Sequence, residues 1–193
     1  MTPSRYDDEL WELVPADPGP PPAQLVDFVR GLGTVARALD LGCGDGRLTT
    51  QLAAAELTAA DVSAVALERA RRRLPAARLV ELEPDAPLPF GDGEFELVLC
   101  AETLEHVRDV QLLLSEARRV LEPRGRLAIT TPAHGRLTAL RLLVRGFDID
   151  PLSPHIRFFT RGSLRRLLGE LAFDVERLRS ERGTLLALAT LGR

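Results

Sequence analysis

A glycine-rich segment carries the clearest chemical signal in the sequence. Residues 40–46 are Asp-Leu-Gly-Cys-Gly-Asp-Gly. Glycines allow a tight turn and let a ligand approach bare backbone. The spacing differs from the G-x-G-x-x-G pattern of dinucleotide sites, and the carboxylates of Asp40 and Asp45 would repel a pyrophosphate. The segment therefore predicts a cationic or zwitterionic ligand.

A further carboxylate lies at a position that commonly binds ribose. Asp61 ends the next predicted strand, about 20 residues after the loop, where an acid hydrogen-bonds ribose hydroxyls and disfavours a 2′-phosphate. A ligand that has a ribose and a positive end but no pyrophosphate is S-adenosylmethionine. The loop and Asp61 together predict this cofactor.

Two glutamates and a histidine follow a later strand, in the segment Glu-Thr-Leu-Glu-His. On a helical turn Glu102, Glu105 and His106 would share one face. Carboxylates and imidazoles suit Mg²⁺, Mn²⁺ or Fe²⁺, so we predict a divalent-metal site with His155 as a fourth ligand. The alternative is that Glu102 hydrogen-bonds near the cofactor and that His106 has only a structural or general-base role.

Hydrophobic periodicity predicts alternating strands and helices from residue 23 onward. The predicted strands are 35–41, 57–60, 78–82, 95–100, 126–131, 173–178 and 185–189. The predicted helices are 24–31, 47–55, 64–74, 110–121 and 163–171. This alternation indicates a parallel sheet with helices on both faces. The last two strands lack a helix between them and predict an antiparallel hairpin at or near an edge.

Two segments lie outside this alternation and leave residues 23–193 as one domain. Residues 1–22 are rich in proline and acids, so we predict an arm with little regular structure. The arm's apolar residues at helical spacing are Tyr6, Leu10, Trp11 and Leu13. A short helix there would either pack on the surface or close over a ligand. Residues 136–154 form an insertion, which we expect to be a lid over the acceptor.

The composition excludes several chemistries. All 25 basic residues are arginine, which rules out Schiff-base catalysis, pyridoxal-phosphate chemistry and a Walker lysine. The arginines of residues 69–73 end a helix and are interpreted as a solvated helix end. Cys43 and Cys100 have no metal-binding spacing and are interpreted as reduced thiols.

Charge and hydropathy limit the partners. A net charge of −3 does not favour nucleic acid, which needs a basic face. The apolar runs fall short of the roughly 18 residues that a spanning helix requires. We therefore expect a soluble, cytoplasmic protein that acts on a small-molecule acceptor, with an oligomeric state that the sequence does not define.

Four ordered motifs resemble those of the class I S-adenosylmethionine-dependent methyltransferases. They are the loop with its flanks at 38–47, Asp-Val-Ser at 61–63, Leu-Pro-Phe at 88–90 and Phe-Glu-Leu-Val-Leu at 95–99. The resemblance covers residues 25–191. It implies a Rossmann-like, seven-stranded, mostly parallel sheet with an antiparallel last strand.

The resemblance also implies roles toward the cofactor. Gly42 and Gly44 would contact its methionine part, Asp40 would help to hold its ammonium group, and Asp61 would bind its ribose. Asp85 and Ala86 would meet the adenine, although a loop one residue shorter than in the family leaves Glu83 as an alternative to Asp85. The further residues expected at the cofactor are Cys43, Val62 and Glu102.

The Glu-x-x-Glu-His segment is similar to that of two methyltransferase groups. These are the small-RNA 3′-terminal 2′-O-methyltransferases and the ubiquinone-pathway O-methyltransferases, in which a metal would bind the acceptor hydroxyls and lower their pKa. Carried over, the metal ligands would be Glu102, Glu105, His106 and His155.

The sequence therefore predicts methyl transfer to a small molecule, with a hydroxyl oxygen as the expected acceptor. His106 is the candidate general base and His155 the second, because an imidazole titrates near neutral pH. His134 is interpreted as a solvated loop residue or as part of the acceptor pocket. Two other functions stay open: methylation of RNA 3′ ends, and a non-catalytic module that binds the cofactor.

Overall fold

The computed structural model describes residues 3–134 and 157–192, with side chains from Tyr6 onward. Its strands are β1 (Thr34–Leu41), β2 (Ala53–Asp61), β3 (Arg78–Glu81), β4 (Phe95–Ala101), β5 (Leu121–Pro132), β6 (Phe173–Glu181) and β7 (Thr184–Leu191). Its helices are α1 (Pro3–Leu13), α2 (Ala23–Arg30), α3 (Ala64–Arg73), α4 (Val110–Val120) and α5 (Arg161–Glu170). The insertion expected at 136–154 lies outside the described residues, as does His155.

The strands form one sheet of seven in the order β3-β2-β1-β4-β5-β7-β6. Strands β1 to β5 pair in parallel. Strand β7 is antiparallel to both of its neighbours, and its hairpin with β6 forms one edge. The predicted Rossmann-like sheet, with its reversed last strand and edge hairpin, is confirmed.

Alternating side chains of the strands pack against helices on the two faces of the sheet. Leu39 of β1 packs on the face that α4 and α5 cover, whereas its neighbour Ala38 packs with Val29 of α2 on the other face. This period of two is what strand geometry requires. The helices on both faces, predicted from the sequence, are therefore confirmed.

The helix predicted for 47–55 is wrong. Only a short 3-10 helix forms, at Thr49–Gln51, and β2 already begins at Ala53. Ala53 and Ala54 pair with Thr34 and Val35 of β1. The alanines have a high helix propensity, but pairing with a neighbouring strand outweighs such local preferences.

Arg119 of α4 holds the loop between β3 and β4, which contains the predicted adenine-binding residues. Its guanidinium donates hydrogen bonds to the carbonyl oxygens of Phe90 at 2.8 Å and Leu88 at 3.0 Å. It also forms an ion pair of 2.7 Å with Glu116 of the same helix. Glu116 in turn accepts a hydrogen bond from the Leu88 amide. The arginine keeps the pKa of Glu116 below its ordinary value.

This network predicts that Arg119→Ala lowers the free energy of unfolding by about 3 kcal/mol, because two carbonyls and a carboxylate lose their donor. Urea denaturation measures this change. Arg118→Ala is the matched control, since Arg118 is exposed on the same helix and its loss should matter by less than about 0.5 kcal/mol. Equal stabilities of the two variants would contradict the role given to Arg119.

Candidate cofactor and catalytic site

The carboxyl ends of β2, β1 and β4 lie side by side in the sheet. The glycine loop follows β1, Asp61 ends β2, and Glu102 follows β4. Ligands bind at this edge in open α/β sheets. The structure therefore brings the main predicted cofactor residues to one place.

The glycine loop folds back onto the end of β2. The amides of Gly42 and Cys43 both donate to the carbonyl oxygen of Ala60, at 2.8 and 3.0 Å. The Gly44 amide donates to Asp61 Oδ2 at 2.8 Å. Gly42 and Gly44 have φ angles of 81° and 54°, which L residues rarely adopt. A side chain at Gly42 would also collide with Thr103.

Asp61 joins the glycine loop to helix α3. Besides Gly44, its carboxylate accepts a hydrogen bond of 2.9 Å from the Ser63 amide. Burial raises the pKa of Asp61, although these two amide donors act in the opposite direction. The contact with ribose stays a prediction, but Asp61 and the loop are shown to form one unit.

Asp40 is a buried carboxyl group with an incomplete set of partners. Asp40 is only 2% exposed, and its Oδ2 accepts a hydrogen bond of 2.6 Å from Thr49 Oγ1. Among the described residues, Oδ1 has no hydrogen-bond partner. Burial raises the pKa of Asp40 to about 7, with a smaller contribution from Asp61. Because a buried charge is costly unless it is paired, this site fits a cationic group.

Glu102 follows β4 in a conformation that differs from the one expected. Its φ of 53° is left-handed, so the helical face expected for Glu102, Glu105 and His106 does not form and that interpretation is wrong. The Glu102 amide donates to Thr130 O at 2.9 Å, and its Oε1 accepts from Thr130 Oγ1 at 2.8 Å. Burial raises the pKa of Glu102 to about 7.

Glu105 turns toward the other face of the sheet. Its buried carboxylate accepts a hydrogen bond of 2.9 Å from Thr131 Oγ1, and burial raises its pKa. Thr130 and Thr131 are successive residues of β5, whose side chains point to opposite faces. The two glutamates are therefore held by hydroxyl groups on opposite faces of β5.

Three of the four predicted metal ligands, Glu102, Glu105 and His106, lie among the described residues. In the ranges 3–134 and 157–192, no group of three or more His, Cys, Asp or Glu side chains is arranged to hold a metal. His155, the fourth ligand expected, lies outside these ranges. A metal bound with its help stays a prediction.

His106 lies beside Glu105 at the mouth of the site. Its amide donates to Thr103 O at 3.0 Å, and its imidazole Nε2 lies 3.9 Å from Glu105 Oε1, with a side chain that is 36% exposed. His134 lies at the end of β5, where Nδ1 is 3.2 Å from the Pro132 carbonyl oxygen. The His134 ring also packs edge-on against Phe158. A buried carboxylate thus accompanies His106, whereas a carbonyl and a phenyl ring accompany His134.

The predicted adenine residues lie in the loop that Arg119 anchors. Asp85 is exposed, with a left-handed φ of 55°, and its carboxylate is 4.0 Å from Arg108 Nη1. Val62 and Ala86 are half-buried, and Glu83 is exposed. Adenine binding by Asp85, Ala86 or Glu83 stays a prediction.

The N-terminal arm contributes side chains that the sequence did not single out for this site. Asp8 accepts hydrogen bonds from Ser63 Oγ at 2.6 Å and from the Val65 amide at 3.2 Å, at the start of α3. Trp11, assigned only to a helical stripe, lies against Gly44. The acidic run Asp7-Asp8-Glu9 is the signal in the sequence that could have indicated this contact. Carboxylates are favoured near the N-terminus of a helix, which here is the start of α3.

The arginines of residues 69–73 have two different roles, and their interpretation as a solvated helix end is correct for only part of them. Arg71 and Arg72 are exposed and pair with Glu68. Arg69 instead donates to the Val14 carbonyl at 2.9 Å. Arg73 pairs with Asp45 at 3.2 Å and reaches the Ala16 carbonyl at 3.5 Å. Two of these arginines therefore hold the arm.

The sheet order and the glycine loop joined to Asp61 define the class I S-adenosylmethionine-dependent methyltransferase fold. An S-adenosylmethionine-dependent methyltransferase from Aquifex aeolicus has the same fold, with a TM-score of 0.68 and 17% identity over 99% of both chains. Residues 39–129 match the family model described as a methyltransferase domain. Residues 39–129 are therefore similar to a methyltransferase domain, within a chain that has the fold of this class.

Two relatives show a closer similarity in sequence. A malonyl-[acyl-carrier protein] O-methyltransferase from Enterobacter lignolyticus is 35% identical over 138 residues, which are 70% of this chain and 54% of the relative. A 37.1 kDa protein in transposon TN4556 of Streptomyces fradiae is 42% identical over 150 residues, which are 71% of this chain and 42% of the relative. The chain spans about half the length of these relatives. None of the helices in the described ranges could cross a membrane.

The buried Asp40 predicts a specific dependence of stability on pH. The folded carboxyl keeps its proton up to about pH 7, whereas its ordinary pKa is 3.8. The folded state therefore binds more protons between these values, and the free energy of unfolding should fall as the pH rises through them. Asp40→Asn should remove a slope of at most about 1.4 kcal/mol per pH unit, measured by urea denaturation without ligand.

The Asp40→Asn variant should keep part of the dependence of unfolding free energy on pH, because the pKa of Glu102 is also raised to about 7. The double variant Asp40→Asn/Glu102→Gln should therefore have the shallowest dependence on pH. Identical slopes for the wild type and Asp40→Asn would show that Asp40 does not hold its proton as described.

Proposed function

We propose that the protein transfers the methyl group of S-adenosylmethionine to a hydroxyl oxygen of a small molecule. The observation that carries this proposal is the set of carboxyl groups at the cofactor edge: Asp40, Asp61 and Glu102. Within the described residues, none of the three forms an ion pair with an arginine. Asp40 and Asp61 are buried and Glu102 is half-buried, and carboxyls shielded from water without a cation favour a positively charged ligand.

Asp45 shows the contrasting arrangement within the same loop. Its carboxylate is paired with Arg47 at 2.9 Å and with Arg73 at 3.2 Å, so its charge is compensated by the protein itself. The chain therefore neutralises one acid of the loop and leaves Asp40 without a counter-charge. This difference supports a ligand cation at Asp40, and the open Oδ1 of that residue suits an ammonium group.

The residues of the site have separate roles in this proposal. Asp40 and Glu102 would balance the positive charge of the cofactor, Asp61 would hold its ribose, and the bare backbone at Gly42 and Gly44 would allow close approach. When bound, the cofactor supplies an electrophilic methyl group on a sulfonium sulfur. The protein mainly positions the acceptor and this methyl group on one axis.

His106 is the proposed general base, with Glu105 as a positioning residue. Glu105 is held by Thr131, and its other carboxylate oxygen lies 3.9 Å from the imidazole Nε2. A carboxylate beside an imidazole orients the ring and stabilises its protonated form. The partly exposed ring would accept the acceptor's proton as the oxygen–carbon bond forms.

Oxygen is the preferred acceptor atom for a chemical reason. A hydroxyl group is a weak nucleophile until its proton is removed, so it needs a base such as the His106–Glu105 pair. A neutral amine already has a lone pair for attack. The similarity to the malonyl-[acyl-carrier protein] O-methyltransferase also supports an oxygen acceptor.

Calorimetric titration with S-adenosylmethionine tests the cofactor role of Asp61. Asp61→Ala should weaken binding by about tenfold to hundredfold, because it removes hydrogen bonds to a charged acceptor. Asp174→Ala is the control, since Asp174 is exposed at the start of β6, at the opposite end of the sheet. Equal affinities of the two variants, or a wild type that binds no cofactor, would refute the assignment.

Steady-state kinetics test the proposed base. His106→Gln should lower kcat by about a hundredfold or more, with a smaller change in the KM for the acceptor. Glu105→Gln should lower kcat less, because it affects only the orientation and charge of the imidazole. His134→Gln is the matched control. A decrease in its kcat as large as that of His106→Gln would indicate that the general base is His134, at the end of β5.

A panel of acceptors separates this function from the two alternatives. Transfer of a labelled methyl group to alcohols or phenols supports the proposal. Transfer to RNA oligomers that stops on chelation would favour methylation of RNA 3′ ends through the metal. Cofactor binding with no transfer to any acceptor would favour a non-catalytic module.

A further inference from the structure

We propose that the N-terminal arm, residues 3–22, is a lid that must open for the cofactor to enter and that closes over it once bound. The inference rests on the proposed use of S-adenosylmethionine. It concerns the contacts of helix α1 and of the segment that follows it with the glycine loop and helix α3.

Trp11 covers the bare backbone at Gly44. A Cβ placed on Gly44 would lie only 2.7 Å from Trp11 Cζ2 and 2.9 Å from Cη2, so the indole is in direct contact with the glycine. The other side of Gly44 is bonded to Asp61 through its amide. Trp11 therefore occupies the face of Gly44 that a ligand would otherwise contact, although the glycine stays partly exposed.

Asp8 closes the neighbouring part of the site. Its carboxylate accepts hydrogen bonds from Ser63 Oγ and the Val65 amide, directly after the strand end that carries Asp61. Asp61 itself is only 7% exposed. The arm thus covers the two features to which the cofactor is assigned, the glycine loop and the acid at the end of β2.

Asp7 of helix α1 is influenced by charges on the segment that carries the proposed catalytic histidine. Burial raises the pKa of Asp7, while the charges of His106 and Arg108 lower it and that of Asp8 raises it. The charge of Asp7 also raises the pKa of Asp61. The charge of Asp7 is therefore coupled both to Asp61 at the end of β2 and to the segment that follows β4.

The attachment of the arm suits reversible opening. None of the described side chains at 6–22 is fully buried, and the arm is held mainly by arginines that donate to its carbonyl oxygens. These bonds are Arg69 to Val14, Arg73 to Ala16, and Arg47 to Gly19. Arg69 also lies 5.9 Å from the centre of the Trp11 ring. Segments with few buried apolar contacts open at low free-energy cost.

Intrinsic fluorescence tests the lid directly, because Trp11 is the only tryptophan in the chain. Saturating S-adenosylhomocysteine, the product form of the cofactor, should change the Trp11 emission of the full chain as the indole leaves Gly44 and repacks. If calorimetry shows binding and the emission stays constant, the lid is overturned while the proposed function stands. If calorimetry shows no binding of either S-adenosylmethionine or its product, the proposed function fails first.

Stopped-flow kinetics with S-adenosylhomocysteine test the gating. Trp11→Ala should make cofactor association faster and dissociation about tenfold faster, because alanine neither covers Gly44 before binding nor packs over the bound cofactor. Asp8→Ala should act in the same direction. These variants lack the tryptophan signal or change its surroundings, so binding is followed with a fluorescent analogue of the cofactor that S-adenosylhomocysteine displaces.

Leu13→Ala is the matched control for both variants. Leu13 belongs to the same helix but is 81% exposed, so its rates should equal those of the wild type. Thermal unfolding shows whether each variant remains folded. Rates for Trp11→Ala and Asp8→Ala that match Leu13→Ala would overturn the lid, and slower dissociation in either variant would do the same.

Discussion

The hydrogen bond between the Gly44 amide and Asp61 Oδ2, 2.8 Å long, is the contact on which the site depends. It fastens the loop after β1 to the end of β2, and the same carboxylate reaches Ser63 at the start of α3. Three elements that are distant in sequence thereby acquire one fixed geometry. The backbone of Gly44 is thereby held between Asp61 on one side and Trp11 on the other.

The same edge concentrates carboxyl groups that no arginine pairs with among the described residues. Asp40 and Glu102 have pKa values of about 7, because burial penalises their ionised forms. A cationic ligand would stabilise the ionised carboxylates, so the free energy lost when these groups are buried would strengthen the binding of the ligand. Such a site is poorly suited to phosphates, in agreement with the acidic glycine loop.

The sequence predicted the sheet well and the side-chain geometry of the site less well. Period-two patterns and the position of Asp61 depend on local rules, and both are found in the structure. The helix at 47–55 failed because alanine pairing with β1 is a long-range interaction. The shared face of Glu102, Glu105 and His106 failed because Glu102 adopts a left-handed conformation, which no spacing rule reveals. The docking of Trp11 on Gly44 was equally hidden, since no pattern specifies where an arm packs.

The shortness of the helix that follows the glycine loop has an electrostatic consequence. Where a full helix follows such a loop, its aligned peptide dipoles place partial positive charge at the loop and favour anions. Here only Thr49–Gln51 forms a single 3-10 turn, so little of that dipole is available. The field at the loop is therefore set mainly by Asp40 and its neighbouring carboxyls, and the backbone adds little attraction for an anion.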